Sequence, residues 1–97
     1  MTKKAVEIDV LCVGHASYDL VFSVAQHPKN DEKIFAENLI SSGGGPAANA
    51  AVTVSRLGLK AGFSGYIGND LYGNMHLQEF DQHHINTDLV IRGNNPT

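Results

Sequence analysis

Three consecutive glycines, Gly43, Gly44 and Gly45, lead directly into Pro46, Ala47, Ala48 and Asn49, and this junction holds residue types suited to gripping a small polar molecule. Glycine leaves main-chain N–H groups open to a ligand that any Cβ would hold away. Pro46 suits the first turn of a helix. Asn49, about one turn inside that helix, carries an amide that both donates and accepts hydrogen bonds. Asp19, on the wetter face of an alternating run, offers a carboxylate that accepts hydrogen bonds. On residue type alone Asp19 reads equally well as a solvated strand residue. The chemistry of this set is first of all binding.

Several elements must position these residues. The apolar run over 8–14, ended by Gly14, predicts a buried strand of the parallel type. Residues 18–24 alternate Tyr18, Leu20, Phe22 and Val24 against Asp19, Val21 and Ser23, as a strand with one wetter face does. A polar turn containing Pro28 and a more polar extended run over 33–40 follow, so the two runs predict a small ribbon outside the main sheet. Residues 47–57 carry Arg56 as their only charge and predict a helix buried on most of its circumference, stopped by Gly58. A glycine-containing strand over 61–67 ends at Gly68. Asn69 or Asp70 then caps a helix from Leu71 to about His83, with Leu71, Met75, Leu77 and Phe80 as its core face. A short strand over 89–91 is the third of the core sheet.

This order predicts an α/β layer with right-handed crossovers. Three strands and two helices leave a sheet edge and part of one face uncovered, whereas parallel sheets are normally covered on both faces. A second half completing the sheet is therefore expected.

Composition narrows the partners. Seven basic against ten acidic residues give a net charge of −3, with no Lys/Arg cluster beyond Lys3 and Lys4, which argues against nucleic acid or an anionic membrane as partner. No apolar stretch nears the roughly 20 residues needed to span a bilayer. A lone Cys12 inside an apolar run reads as a buried thiol and points to no oxidising compartment, so the expected address is the cytoplasm. His15, His27, His76, His83 and His84 share no metal-ligand spacing and receive no role. Gly43, Gly45 and Ala48 fit a dinucleotide fingerprint only weakly, because the preceding run is polar and no acid stands about 20 residues on. No Walker lysine follows.

The glycine stretch and its downstream spacing resemble the N-terminal signature of the PfkB, or ribokinase-like, carbohydrate kinase family. The residues are Gly44-Gly45-Pro46-Ala47-Ala48-Asn49-Ala50-Ala51, with Gly58 and Gly68 beyond. Val13-Gly14 through Asp19 resembles the family's first strand and sugar-contacting Asp. Gly68-Asn69-Asp70-Leu71-Tyr72-Gly73 resembles its G-x-D-x-x-G turn, and Ile85-Asn86-Thr87-Asp88 its lead into the next strand. The resemblance implies a ribokinase-like three-layer α/β fold, of which residues 1–97 are the N-terminal part of the parallel sheet with flanking helices. A β-ribbon lid formed by strands at about 18–24 and 33–40 completes the implied segment.

It also implies that Asp19, Gly44, Gly45 and Asn49 bind sugar hydroxyls, and that the lid closes over the sugar and in some members forms a dimer contact. A homodimer through the lid strands, or a partner supplying the missing half, is implied on the same ground. ATP and Mg²⁺ are implied for the full-length family member. The family's second signature, which supplies the catalytic base, anion hole and much of the ATP site, has no match here, so no catalytic, cofactor-binding or metal-binding residue is assigned. Ala47 stands where many members have glycine. The expected function is the sugar-binding segment of an ATP-dependent sugar kinase, inactive by itself. The alternatives are a non-catalytic sugar- or nucleoside-binding module, or a nucleoside kinase of the same family.

Overall fold

A computed structural model describes residues 7–97. The elements run β1 (Val10–Val13), β2 (Ser17–Ser23), β3 (Asn38–Gly44), α1 (Pro46–Arg56), β4 (Ala61–Gly68), α2 (Leu71–Gln82) and β5 (Asn86–Gly93). Two sheets result. One is parallel, in the order β1-β4-β5, and the other is the antiparallel ribbon β2-β3.

Both helices lie on one face of the parallel sheet. There Ala47, Ala48 and Ala51 of α1, Ala61, Phe63 and Ile67 of β4, and Phe80 of α2 form one core, closed by Ile85. Alternation along the strands sends their remaining side chains to the opposite face, where Val13 is 70%, Leu89 53% and Ile91 67% exposed. The open sheet face expected from three strands and two helices is thus present. Helix α1 is less enclosed than its apolar composition predicts. Only its alanine stripe is buried, while Asn49, Ala50, Thr53 and Arg56 are exposed. A single stripe is what one sheet face can cover. Its end is as expected: Gly58 takes a φ of +88°, its N–H donates to Ser55 O and the Leu59 N–H to Val54 O, closing the last turn.

The ribbon departs from the sequence reading. Its second strand runs Asn38–Gly44, not over 33–40, and Ser17 pairs with Gly44, Tyr18 with Gly43 and Asp19 with Ser42. Residues 33–37 have no strand opposite them, and Phe35 there is 98% exposed. Two of the three glycines are therefore strand, not loop. The described chain is extended, with a radius of gyration of 16.5 Å, against about 12.5 Å for a compact domain of this length.

The α2 N-terminus is tied down by one carboxylate. Asp70 accepts from Gly73 N at 2.7 Å, Thr97 N at 2.8 Å and Thr97 Oγ1 at 2.7 Å. Arg92, near the end of β5, reaches back to Ile67 O, Gly68 O and Asn74 Oδ1. Gly68 and Gly73 keep this knot tight, since a Cβ at Gly68 would lie 2.8 Å from Thr97 N and one at Gly73 2.9 Å from Thr97 Oγ1. Leu71, expected in the core, is 69% exposed because the cap turns the first helical position outward.

The hydrogen bonds from Thr97, then Gly73, and the nearby Arg92 charge hold the Asp70 carboxyl below its ordinary value of 3.8. A carboxylate with a depressed folded-state pKa adds stability that is fully present above the unfolded value and is lost as pH falls through the folded one. The thermal midpoint of Asp70→Asn should accordingly lie below that of the unsubstituted protein at pH 7. The gap should narrow as pH drops below about 4, as melting curves across pH 2–7 would record.

Candidate functional site

Ligand sites in open α/β sheets gather at the carboxyl ends of the strands, and the glycine triplet sits at that end of β1. Its three members have three different reasons to be glycine. Gly45, the N-cap of α1, has φ 98° and ψ 146°, a region closed to residues with a Cβ. A Cβ there would also stand 2.5 Å from His15 O and 2.7 Å from Ala16 Cα. Gly44 lies under Asp19. The direction its Cβ would take is filled by that carboxylate, with Cγ 2.6 Å and Oδ1 2.9 Å away. Ser17 Oγ donates to Asp19 Oδ1 at 3.2 Å.

Gly43 faces the opposite way, toward α2. A Cβ at Gly43 would meet His76 Cε1 at 2.7 Å and Glu79 Oε2 at 2.9 Å. In its absence the Gly43 N–H donates to Glu79 Oε2 at 2.9 Å, and His76 Nε2 stands 3.2 Å from Gly44 O. One helical turn earlier, Tyr72 stacks on Tyr18, the cross-strand neighbour of Gly43, with ring centroids 5.4 Å apart. Behind the strand lies a cleft of about 290 Å³, whose lining includes Ser42, Gly43, Asn49, Thr53, His76 and Glu79.

The structure brings Asp19 and Gly44 into contact and joins Asn49 to Gly45 through the helical bond from Asn49 N to Gly45 O, 2.9 Å long. Asn49 lines the cleft toward α2, whereas the Asp19 carboxylate lies over Gly44 on the other face of the strand. The sequence reading explained the bare backbone by a ligand. In the structure the protein's own groups fill the space that a Cβ would occupy at each glycine. His76 and Glu79 escaped the sequence reading. The signal was the spacing of Gly73, His76 and Phe80, the buried stripe of α2, which puts a polar ring in the middle of a helical core face.

Comparison with known proteins places this arrangement among relatives. The family model described as pfkB family carbohydrate kinase matches residues 7–97. The mouse (Mus musculus) ribokinase is 37% identical over 81 residues, which are 84% of this chain and 25% of that protein. A 5-dehydro-2-deoxygluconokinase of Bacillus thuringiensis is 34% identical over 83 residues, 86% of this chain and 24% of its own length. Among solved structures, Arabidopsis thaliana ribokinase complexed with ribose and ATP superimposes with a TM-score of 0.79 at 30% identity. That match covers 90% of this chain and 29% of that one. The chain thus spans about a quarter of the length of the curated relatives it matches.

The glycines give a test that separates side-chain from main-chain collision. Gly45→Ala should destabilise the protein by about 1–3 kcal/mol or more through its backbone conformation, with no relief from a second substitution. Gly44→Ala should be partly rescued by Asp19→Gly, since its collision is with that side chain. Chemical unfolding of the two single variants and the double variant measures both effects.

Proposed function

The chain belongs to the pfkB family of carbohydrate kinases, and from that premise we propose that it forms the sugar-binding part of an enzyme transferring phosphate from ATP to a sugar hydroxyl. The observation that carries the proposal is Asp19 seated over Gly44 at the carboxyl end of β1. A carboxylate there accepts from sugar hydroxyls. The Gly44 and Gly45 main chain is proposed to meet the ring beside that carboxylate, and Asn49, one turn into α1, supplies both hydrogen-bond senses. The relatives named as ribokinases and deoxygluconokinase support a small sugar or sugar-like alcohol as substrate.

In this reading the ribbon is a lid that shields the sugar from water. Its strands carry Val21 55%, Phe22 58%, Leu39 50% and Ile40 60% exposed, an apolar surface that supports contact with a second copy of the chain. Phosphoryl transfer depends on positioning and on neutralising charge around the γ-phosphate. The described residues contain no group of three or more His, Cys, Asp or Glu able to hold a metal ion. Mg²⁺ and ATP are proposed for the longer family members, and the 97 residues alone are proposed not to turn over. No helix among the described residues is long and apolar enough to cross a membrane, in keeping with a proposed cytoplasmic location.

Calorimetric titration of the full-length protein carrying this chain with D-ribose, D-fructose and adenosine tests the proposal. One of the sugars should bind, and Asp19→Ala should weaken it about 10- to 100-fold, the worth of hydrogen bonds to a charged group. Loss of binding should come without a fall in thermal midpoint, since among the described residues the Asp19 side chain takes its hydrogen bond from its near neighbour Ser17. Affinity unchanged in Asp19→Ala would remove Asp19 from the site, and binding of adenosine alone would move the substrate to the nucleosides.

A further inference from the structure

We propose that His76 and Glu79 are positioning residues for the sugar site, acting through the main chain of Gly43 and Gly44; this rests on the function proposed above. The two side chains stand three residues apart on α2 and so share a face. From that face they hold two successive residues of one strand, Glu79 accepting from the Gly43 N–H and His76 reaching Gly44 O. Tyr72, four residues before His76, grips the paired strand through Tyr18. All three act on the side of the ribbon opposite Asp19. The strand end under Asp19 is thereby fixed from behind.

The chemistry of His76 argues for a role beyond filling space. It is 2% exposed and packs on Phe80 with ring centroids 4.5 Å apart, a place an apolar side chain would fill without desolvating polar atoms. Gly44 O can only accept, so Nε2 donates in that bond, and Nδ1 is the nitrogen left over. That Nδ1 is buried without a hydrogen-bond partner among the described residues. A buried polar ring that leaves one nitrogen unsatisfied is retained against its desolvation penalty by the bond that the other makes. That bond ends on the carbonyl of the glycine beneath Asp19. Glu79 adds a charge-assisted bond, the stronger kind, to the neighbouring amide. Free rotation about the glycines would otherwise make this the loosest stretch of the strand, and a carboxylate resting on a loose strand cannot hold a sugar in one orientation.

The test uses the full-length protein with His76→Leu, His76→Gln, Glu79→Ala and Glu79→Gln. Leu and Ala remove the bonds, whereas Gln keeps a donor at position 76 and an acceptor at position 79. Hydrogen exchange at the Gly43 amide should quicken at least tenfold in Glu79→Ala and stay near its original rate in Glu79→Gln. D-Ribose or D-fructose affinity should fall at least tenfold in His76→Leu and Glu79→Ala and recover to within about threefold in the Gln variants. Affinity for a non-hydrolysable ATP analogue should hold steady throughout, because a merely structural defect would weaken both ligands together. Unchanged Gly43 exchange in Glu79→Ala, or Gln variants as weak as Leu and Ala, would overturn the proposal. If the unsubstituted protein binds neither sugar, the proposed function fails, and the Gly43 exchange rates then decide whether α2 holds the strand.

Discussion

The arrangement turns on a stretch of main chain with no room for side chains. At Gly43, Gly44 and Gly45 the Cβ directions point in turn at His76 and Glu79, at Asp19, and at the backbone of His15 and Ala16. Successive strand residues face opposite ways, so the first two glycines admit neighbours from both sides of the ribbon, and the third turns the chain into α1. The result is a thin wall of backbone between a carboxylate on one side and a buried imidazole and a second carboxylate on the other. Replacing any of the three by a larger residue would force the wall away from one of its supports.

The rest of the fold holds that wall in place. Ala47, Ala48 and Ala51 bring α1 close against β1 and β4, which sets where Gly45 must stop the strand and start the helix. Phe63 and Phe80, with centroids 5.0 Å apart, seat α2 on the same sheet face, so its Tyr72, His76 and Glu79 arrive behind the ribbon. The far end of α2 is fixed by a hydrogen bond from Ser55 Oγ to His83 O, linking the two helices. Its near end is fixed by Asp70, which gathers Gly73 and Thr97. The G-x-D-x-x-G turn is thus a structural clamp at the end of α2 nearer Tyr72.

Much of this was legible in the residues. The parallel strands, both helices, the Gly58 stop and the Asp70 cap follow from local rules: apolar runs, proline at a helix start, a left-handed glycine at its end, a carboxylate at the next cap. The second ribbon strand was misplaced because glycine favours no local structure. Residues 41–44 read as a loop by composition, and only pairing with residues 17–20 makes them strand. Leu71 and His76 were exchanged in the expected core for a similar reason. Hydrophobicity put Leu71 inside, but the cap geometry fixes the helix phase and rotates His76 inward. The contacts of Glu79 and His76 with Gly43 and Gly44 span more than 30 residues of sequence, a distance over which no periodicity carries information.

In the proposed site a sugar rests on Gly44 and Gly45 against the Asp19 carboxylate. Amide chemical-shift mapping of the isotope-labelled full-length protein titrated with D-ribose and D-fructose tests it most directly. One of these sugars should produce saturable shifts centred on the amides of Asp19, Gly44, Gly45 and Asn49. Saturable shifts confined to other parts of the chain, or none for either sugar, would contradict it.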